Sequence, residues 1–369
     1  MIHEQRTSKR IHGFDGLRAI AFLLVFVSHK APTALTERYG TAGVWLFFVL
    51  SGFLITRILS QSSSEIEAGN TTFFSRLLDF YVHRTLRIFP IYYLFLAVVM
   101  ALGIFGLMDI GTKGRQLANL FFLSNVYVEY RGWANDLGHL WSLAVEEQFY
   151  LFFAPLALAL PQRRLPFLCI SIIFLSVATH LVLLSRGSWH ISFDVNSFVN
   201  FGLLGLGGIA GLYADRRLPS WLVSDVAIVV TFCLFLVAPI FMSEPWQYLH
   251  LGRISGFAIA LLLVQIYQNQ QGLASSYLNS RPLREVGVIS YGAYLIHPVI
   301  HLSGILNFFG IRASFPLWVS MFFELSVTLA LAEISWRFLE KPVKGTSDQV
   351  LRFATSYASA FRSRIRSAN

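Results

Sequence analysis

Apolar residues gather into long runs along almost the whole chain: 14–32, 40–60, 87–107, 139–160, 165–185, 194–214, 221–243, 250–267, 287–309 and 315–337. A helix needs about 20 residues to cross a bilayer's hydrocarbon layer, so about ten runs of that length predict about ten spans. Backbone polar groups inside hydrocarbon must be satisfied within the segment, which restricts runs of this kind to helices. The expected fold is all-α, a polytopic integral membrane protein. Composition agrees: the chain is 55% hydrophobic and 13% charged with mean hydropathy +0.59, outside the range of soluble domains.

Lys and Arg set the orientation. With the N-terminus inside, the cytoplasmic side collects Arg6, Lys9, Arg10, Arg76, Arg84, Arg87, Arg163, Arg164, Arg216, Arg217, Arg281, Arg284 and the basic tail. The other side keeps Lys30, Arg38, Lys113, Arg115, Arg131, Arg186, Arg253 and Arg312. Both termini are therefore expected in the cytoplasm. This asymmetry accounts for most of the net charge of +9, and no nucleic-acid partner is needed to explain it. Cys169 and Cys233 fall within apolar runs, so neither a disulfide framework nor a metal site is expected. The first run follows a polar stretch and lacks a small-residue cleavage site, unlike a signal peptide.

Between the runs, 61–72 is a polar loop and 73–87 reads as an amphipathic helix on the cytoplasmic surface. The outer loop 108–138 carries aromatic residues suited to the interface. No internal repeat is visible, which leaves an inverted-repeat transporter without support beyond hydropathy.

The first run contains Arg18 and His29. Eleven helical positions leave an offset of about 20° and a rise of about 16 Å, so a cation and an imidazole share one face at two depths. An intramembrane Arg costs about 3 kcal/mol, and a functional role with a partner or aqueous cavity is the default reading. In the fourth run, His139, Ser142 and Glu146 share a helical face, while Glu147 is rotated by about 100°. Adjacent carboxylates in an apolar helix are hard to explain by packing. If that helix enters from outside, Glu146 lies at a depth comparable with His29, where a carboxylate could orient the imidazole.

Bland alternatives stay open. His29 also suits a helix-end histidine reaching the interface. Arg84 and Arg87, spaced i, i+3, suit either the phosphates of a cytoplasmic ligand or lipid head groups. Ser142 reads more naturally as a helix-packing residue than a nucleophile, and His139 as interfacial. Gly207 and Gly211 lie inside an apolar run, so their spacing reads as close helix packing rather than a dinucleotide fingerprint. Tyr291, Tyr294, His297 and Pro298 read as an aromatic belt with a proline stop.

Six stretches are specific together: Phe14-Asp-Gly-Leu-Arg18 with His29, Gly43 to Ile55, Arg84-Thr-Leu-Arg87-Ile-Phe-Pro90, Leu140-Trp-Ser-Leu-Ala-Val-Glu146-Glu-Gln-Phe-Tyr150, Ser290 to Pro298, and Trp336-Arg-Phe-Leu-Glu-Lys-Pro342. With them the chain resembles membrane-bound acyltransferase family 3, which includes O-antigen and Nod-factor O-acetyltransferases. The resemblance implies an acyltransferase domain over 1–342, followed by a basic tail, 343–369, that is disordered or lies on the membrane surface. It implies a bacterial inner-membrane enzyme that moves an acyl group, usually acetyl, from cytoplasmic acyl-CoA to a hydroxyl of a glycan. No permanently bound cofactor is expected.

On the same resemblance His29 is the catalytic base and Glu146 its partner. Arg18, Arg84 and Arg87 are the donor-side cations, and Asp15, Ser142, Glu147 and Tyr150 are supporting residues. Some members carry a fused extracytoplasmic hydrolase-like domain. None follows the spans in these 369 residues, which predicts transfer completed in the membrane or handed to a separate protein. A direct attack and a covalent acyl-enzyme are both compatible with these residues. Two other readings stand beside this one: a transporter or flippase for an acylated or lipid-linked glycan, and an acyltransferase acting on a small hydroxylated metabolite such as a macrolide.

Overall fold

The computed structural model describes residues 10–133, 137–187, 190–241, 245–301, 304 and 315–353. Arg6, Lys9, Arg312, parts of the runs 221–243 and 287–309, residues 134–136 of the outer loop, and the tail beyond 353 lie outside them. Every regular element among the described residues is helical. In chain order they are α1 (Phe14–Lys30), α2 (Ala34–Glu67), α3 (Phe73–Ile104), α4 (Lys113–Leu120), α5 (Ser124–Arg131), α6 (Leu140–Ala159) and α7 (Leu165–Ser185). They continue with α8 (His190–Val195), α9 (Ser197–Tyr213), α10 (Asp225–Val237), α11 (Pro245–Gln268), α12 (Leu273–Leu278), α13 (Arg281–Ile296) and α14 (Leu317–Ser335).

Several helices start where a polar side chain satisfies the first free N–H groups. Thr72 accepts from Ser75 N at 3.3 Å before α3, Asn196 from Phe198 N at 3.0 Å before α9, and Ser224 from Ala227 N at 3.2 Å before α10. The expected surface helix 73–87 is not separate. It runs without interruption into the apolar segment as α3, with Pro90 inside the helix. The loop expected on the outer side carries α4 and α5. Residues 347–353 of the tail are helical.

The described residues form two compact units, one from Met1–Arg57 and Pro166–Ser290, the other from Ile58–Leu165 and Tyr291–Asn369. In the first, Phe14, Leu17, Leu46, Val49, Phe53, Leu262 and Ile266 share one apolar core, and the Phe14 and Phe53 rings meet edge to face at 5.2 Å. Here α2 and α9 touch backbone to backbone. A Cβ on Gly207 would strike the Val49 carbonyl, one on Gly211 the Phe53 carbonyl, and one on Gly52 the Leu204 carbonyl. This is the close packing expected of the glycine run.

The second unit is centred on α3 and α6. Tyr92 stacks on Phe122 at 4.3 Å and donates to the Asn119 carbonyl at 2.7 Å. Phe122 has a left-handed backbone (φ 53), strained for a bulky residue and held by that stacking and by Gln148 Nε2 donating to its carbonyl at 2.8 Å.

Large apolar side chains point outward on many helices. Phe174 is 70% exposed and Phe322 73%, whereas Asn119, Asn125, His139 and His297 are buried. That inversion suits a hydrocarbon surrounding, where exposed apolar surface carries no penalty and polar groups seek the interior. Four of the described helical segments, Ala34–Glu67, Phe73–Ile104, Gln162–Ser185 and Leu317–Phe353, are long and apolar enough to cross a membrane.

Candidate functional site

In the first unit, Asp15 is buried at the start of α1 and binds two cations. Arg10 Nε donates to its Oδ2 at 2.5 Å, and Arg18 Nη1 to its Oδ1 at 2.8 Å. Arg18 is therefore held by a carboxylate one turn earlier. The backbone there is pinned: Gly287 has no Cβ because one would strike the Asp15 carbonyl, and Gly16 none because of the Leu278 carbonyl. His29 is exposed near the far end of the same helix, beside buried Ser28, whose Oγ donates to the Val25 carbonyl at 2.8 Å.

A second polar group in this unit was not foreseen. Arg57 donates to the Gly211 carbonyl at 3.1 Å, to Asp215 Oδ2 at 2.9 Å and to Tyr267 Oη at 2.9 Å, and Tyr267 donates to Asp215 Oδ1 at 2.6 Å. Burial pushes the Asp215 carboxyl up, but Tyr267 and Arg57 outweigh it and hold the group below the usual carboxylate range.

The second unit gathers most of the expected residues. Arg84, half-buried on α3, sits with its guanidinium carbon 5.4 Å from the Tyr150 ring centre and 5.8 Å from that of Phe80. Tyr150 donates its hydroxyl to Glu146 Oε2 at 3.2 Å, one helical turn away. Arg84 lies within electrostatic reach of Glu146, Glu147 and Arg87, and Arg87 within reach of Glu340. Neither Arg84 nor Arg87 makes a hydrogen bond or ion pair with any described residue. Each guanidinium offers five donors in a planar fork, so two adjacent like charges are held with their donors unused.

Three features here escaped the sequence reading. Glu340, only 5% exposed, accepts from Ser335 Oγ at 3.1 Å. A π-helical turn over Trp336–Glu340 carries it, and such turns are frequent at functional sites. Ser142 does not join Glu146; its hydroxyl shares a 2.6 Å hydrogen bond with Tyr294. His139 and His297 are buried rather than interfacial, with ring centres 5.7 Å apart. His139 Nε2 donates to the Leu295 carbonyl at 3.1 Å and His297 Nδ1 to the Tyr294 carbonyl at 2.7 Å. No local periodicity reveals these contacts between segments 150 residues apart, since Ser142 and Tyr294 are separated by 152 positions.

Apolar exteriors and polar interiors of this kind define a helical membrane protein that carries a cluster of charged residues on α3 and α6. Residues 11–335 match the acyltransferase domain family, and the chain belongs to acyltransferase family 3, a family of membrane acyltransferase enzymes. It is 29% identical over 364 residues to the peptidoglycan O-acetyltransferase OatA of Listeria monocytogenes serovar 1/2a, covering 91% of this chain and 56% of that protein. It is 27% identical over 382 residues to the O-acetyltransferase OatA of Staphylococcus aureus strain MRSA252, covering 98% and 61%. A Bacillus subtilis (strain 168) relative, YrhL, is 30% identical over 372 residues, covering 93% and 56%. The chain thus spans little more than half the length of these relatives. No solved structure matches it.

Proposed function

We propose that the chain is an O-acyltransferase, and specifically an O-acetyltransferase, that takes its acyl group from cytoplasmic acyl-CoA and delivers it to a hydroxyl of a cell-surface glycan. Relatives named as peptidoglycan O-acetyltransferases favour peptidoglycan as that glycan. The carrying observation is the Arg84 and Arg87 pair, whose unused donors suit the phosphates of a CoA ester. About ten spans, cytoplasmic termini and an inner-membrane location complete the proposal, with the Lys and Arg distribution as support.

In this reading His29 removes the proton of the acceptor hydroxyl as it attacks the thioester carbonyl, and CoA leaves as the thiolate. Glu146, held by Tyr150, is the assisting carboxylate. Arg18 serves the donor side, where it shares the single carboxylate of Asp15 with Arg10 and so keeps net positive charge in the group.

The test is CoA release by purified protein in liposomes given acetyl-CoA and a glycan acceptor. Acceptor-dependent release that is lost in His29→Ala and reduced in Glu146→Gln supports the proposal. Glycan movement without CoA release sinks it in favour of transport. A double-variant cycle reads whether His29 and Glu146 act as one unit.

A further inference from the structure

Three consecutive polar residues on α6 meet different fates. Glu146 takes the Tyr150 hydroxyl at 3.2 Å, and Gln148 donates to the Phe122 carbonyl at 2.8 Å and to Asn125 Oδ1 at 2.9 Å. Glu147 Oε1, between them, is buried and has no hydrogen-bond partner among the described residues. A buried acceptor left without a donor is costly, and natural structures keep few of them. Arg84 is within electrostatic reach of Glu147, yet its guanidinium lies over the Tyr150 ring and closes no salt bridge with that carboxyl group. The hydroxyls of two nearby tyrosines are engaged elsewhere: Tyr92 donates to the Asn119 carbonyl at 2.7 Å and Tyr93 to the Leu120 carbonyl at 3.0 Å.

We infer that Glu147 Oε1 is a substrate-binding acceptor, reserved for a neutral N–H or O–H donor of the bound substrate. The inference rests on the acyl-transfer reading. A carboxyl oxygen keeps lone pairs to fill in either protonation state, so the group that satisfies Glu147 Oε1 is an N–H or O–H donor. Beside the arginine pair, the two substrate groups of matching chemistry are the amide N–H groups of the donor's pantetheine arm and the acceptor's hydroxyls. The free protein leaves this oxygen unsatisfied, and the substrate satisfies it. Stability and activity should therefore respond to the same substitution in opposite directions, as expected where function rather than packing keeps a polar group.

The experiment uses the full chain in detergent and in liposomes, with acetyl-CoA as donor probe and a glycan acceptor. Glu147→Met removes the acceptor while keeping the volume, and Glu147→Gln keeps a carbonyl oxygen in place. The expected result for Glu147→Met is an unchanged or raised melting temperature together with a loss of about tenfold or more in kcat/KM. Glu147→Gln should restore most of that loss. A raised KM for acetyl-CoA identifies the donor arm as partner, and a raised KM for the glycan identifies the acceptor. Unchanged kinetics, or parallel losses of stability and activity in both variants, overturn the inference while wild-type turnover leaves the acyltransferase reading standing. Absence of acceptor-dependent CoA release by the wild-type protein overturns both.

Discussion

The Arg84 guanidinium rests on the face of Tyr150, 5.4 Å from the ring centre, and that ring's hydroxyl is bound to Glu146. A cation–π contact of this kind holds the guanidinium without engaging its N–H donors, which make no hydrogen bond with the described residues and can serve a ligand. Arg84→Ala and Arg87→Ala should each raise the KM for acetyl-CoA about 10- to 100-fold, the range expected for a lost charge-assisted hydrogen bond. Arg84→Lys keeps the charge without the fork and should fall between. Steady-state kinetics with varied acetyl-CoA decide, and an unchanged KM in the alanine variants would leave lipid head groups as the partners of these residues.

Tyr150 does two jobs that substitution can separate. Tyr150→Phe keeps the ring beneath Arg84 and removes the donor to Glu146, so kcat should drop while the KM for acetyl-CoA holds. Tyr150→Ala removes both and should change both constants. A Phe variant with wild-type kcat would show that the hydroxyl is idle.

Two glycines should respond with opposite signs. Gly207→Ala forces a methyl onto the Val49 carbonyl and should cost about 1–3 kcal/mol by overpacking. Gly114 lies in α4 with room for a methyl, 3.4 Å from Tyr127 Cε2, and Gly114→Ala should stabilise by about 0.5 kcal/mol or more through reduced backbone entropy. Denaturation in a single detergent, comparing the two variants with the parent, reads both signs.

The Asp215 carboxyl is held below its usual range, so folding favours its ionised form. That contribution is complete above the ordinary pKa of about 3.9 and disappears as pH falls through the lower folded value. The side chain is 68% exposed, so solvent screening keeps the effect within about 1 kcal/mol. Asp215→Asn should melt slightly below the parent at pH 7 and converge with it in acid. A gap that widened as pH fell would contradict the assignment.

Periodicity and length located much of this architecture. Leu140–Ala159 and Leu165–Ser185 match their apolar runs almost end to end, because the polar and proline-containing stretches that bound the runs also end the helices. The polar start of α3 misled, since Arg76, His83, Arg84 and Arg87 read as a surface face when Arg84 turns inward onto aromatic rings. The i, i+3 pair Asp15–Arg18 and the i, i+4 pair Glu146–Tyr150 are compatible with helical spacing, but spacing and depth point instead to Arg18 with His29 and to Glu146 with His29. The Ser142 to Tyr294 contact and the pairing of His139 with His297 join distant segments, which no single-helix pattern encodes. Glu340 stands within the Trp336–Pro342 motif, but its burial depends on a local π turn that composition does not announce.

The glycine contacts at Gly16 and Gly287 make the Asp15 end of α1 a fulcrum. From Asp15 to His29 the helix rises about 21 Å, so a tilt of about 5° at that fulcrum swings the imidazole by about 2 Å. A displacement of that size separates a hydrogen-bonded proton from one out of reach. Gly43 against the Ala21 carbonyl and Gly40 against Ser28 grip the same helix nearer its other end, so contacts at both ends together resist such a tilt.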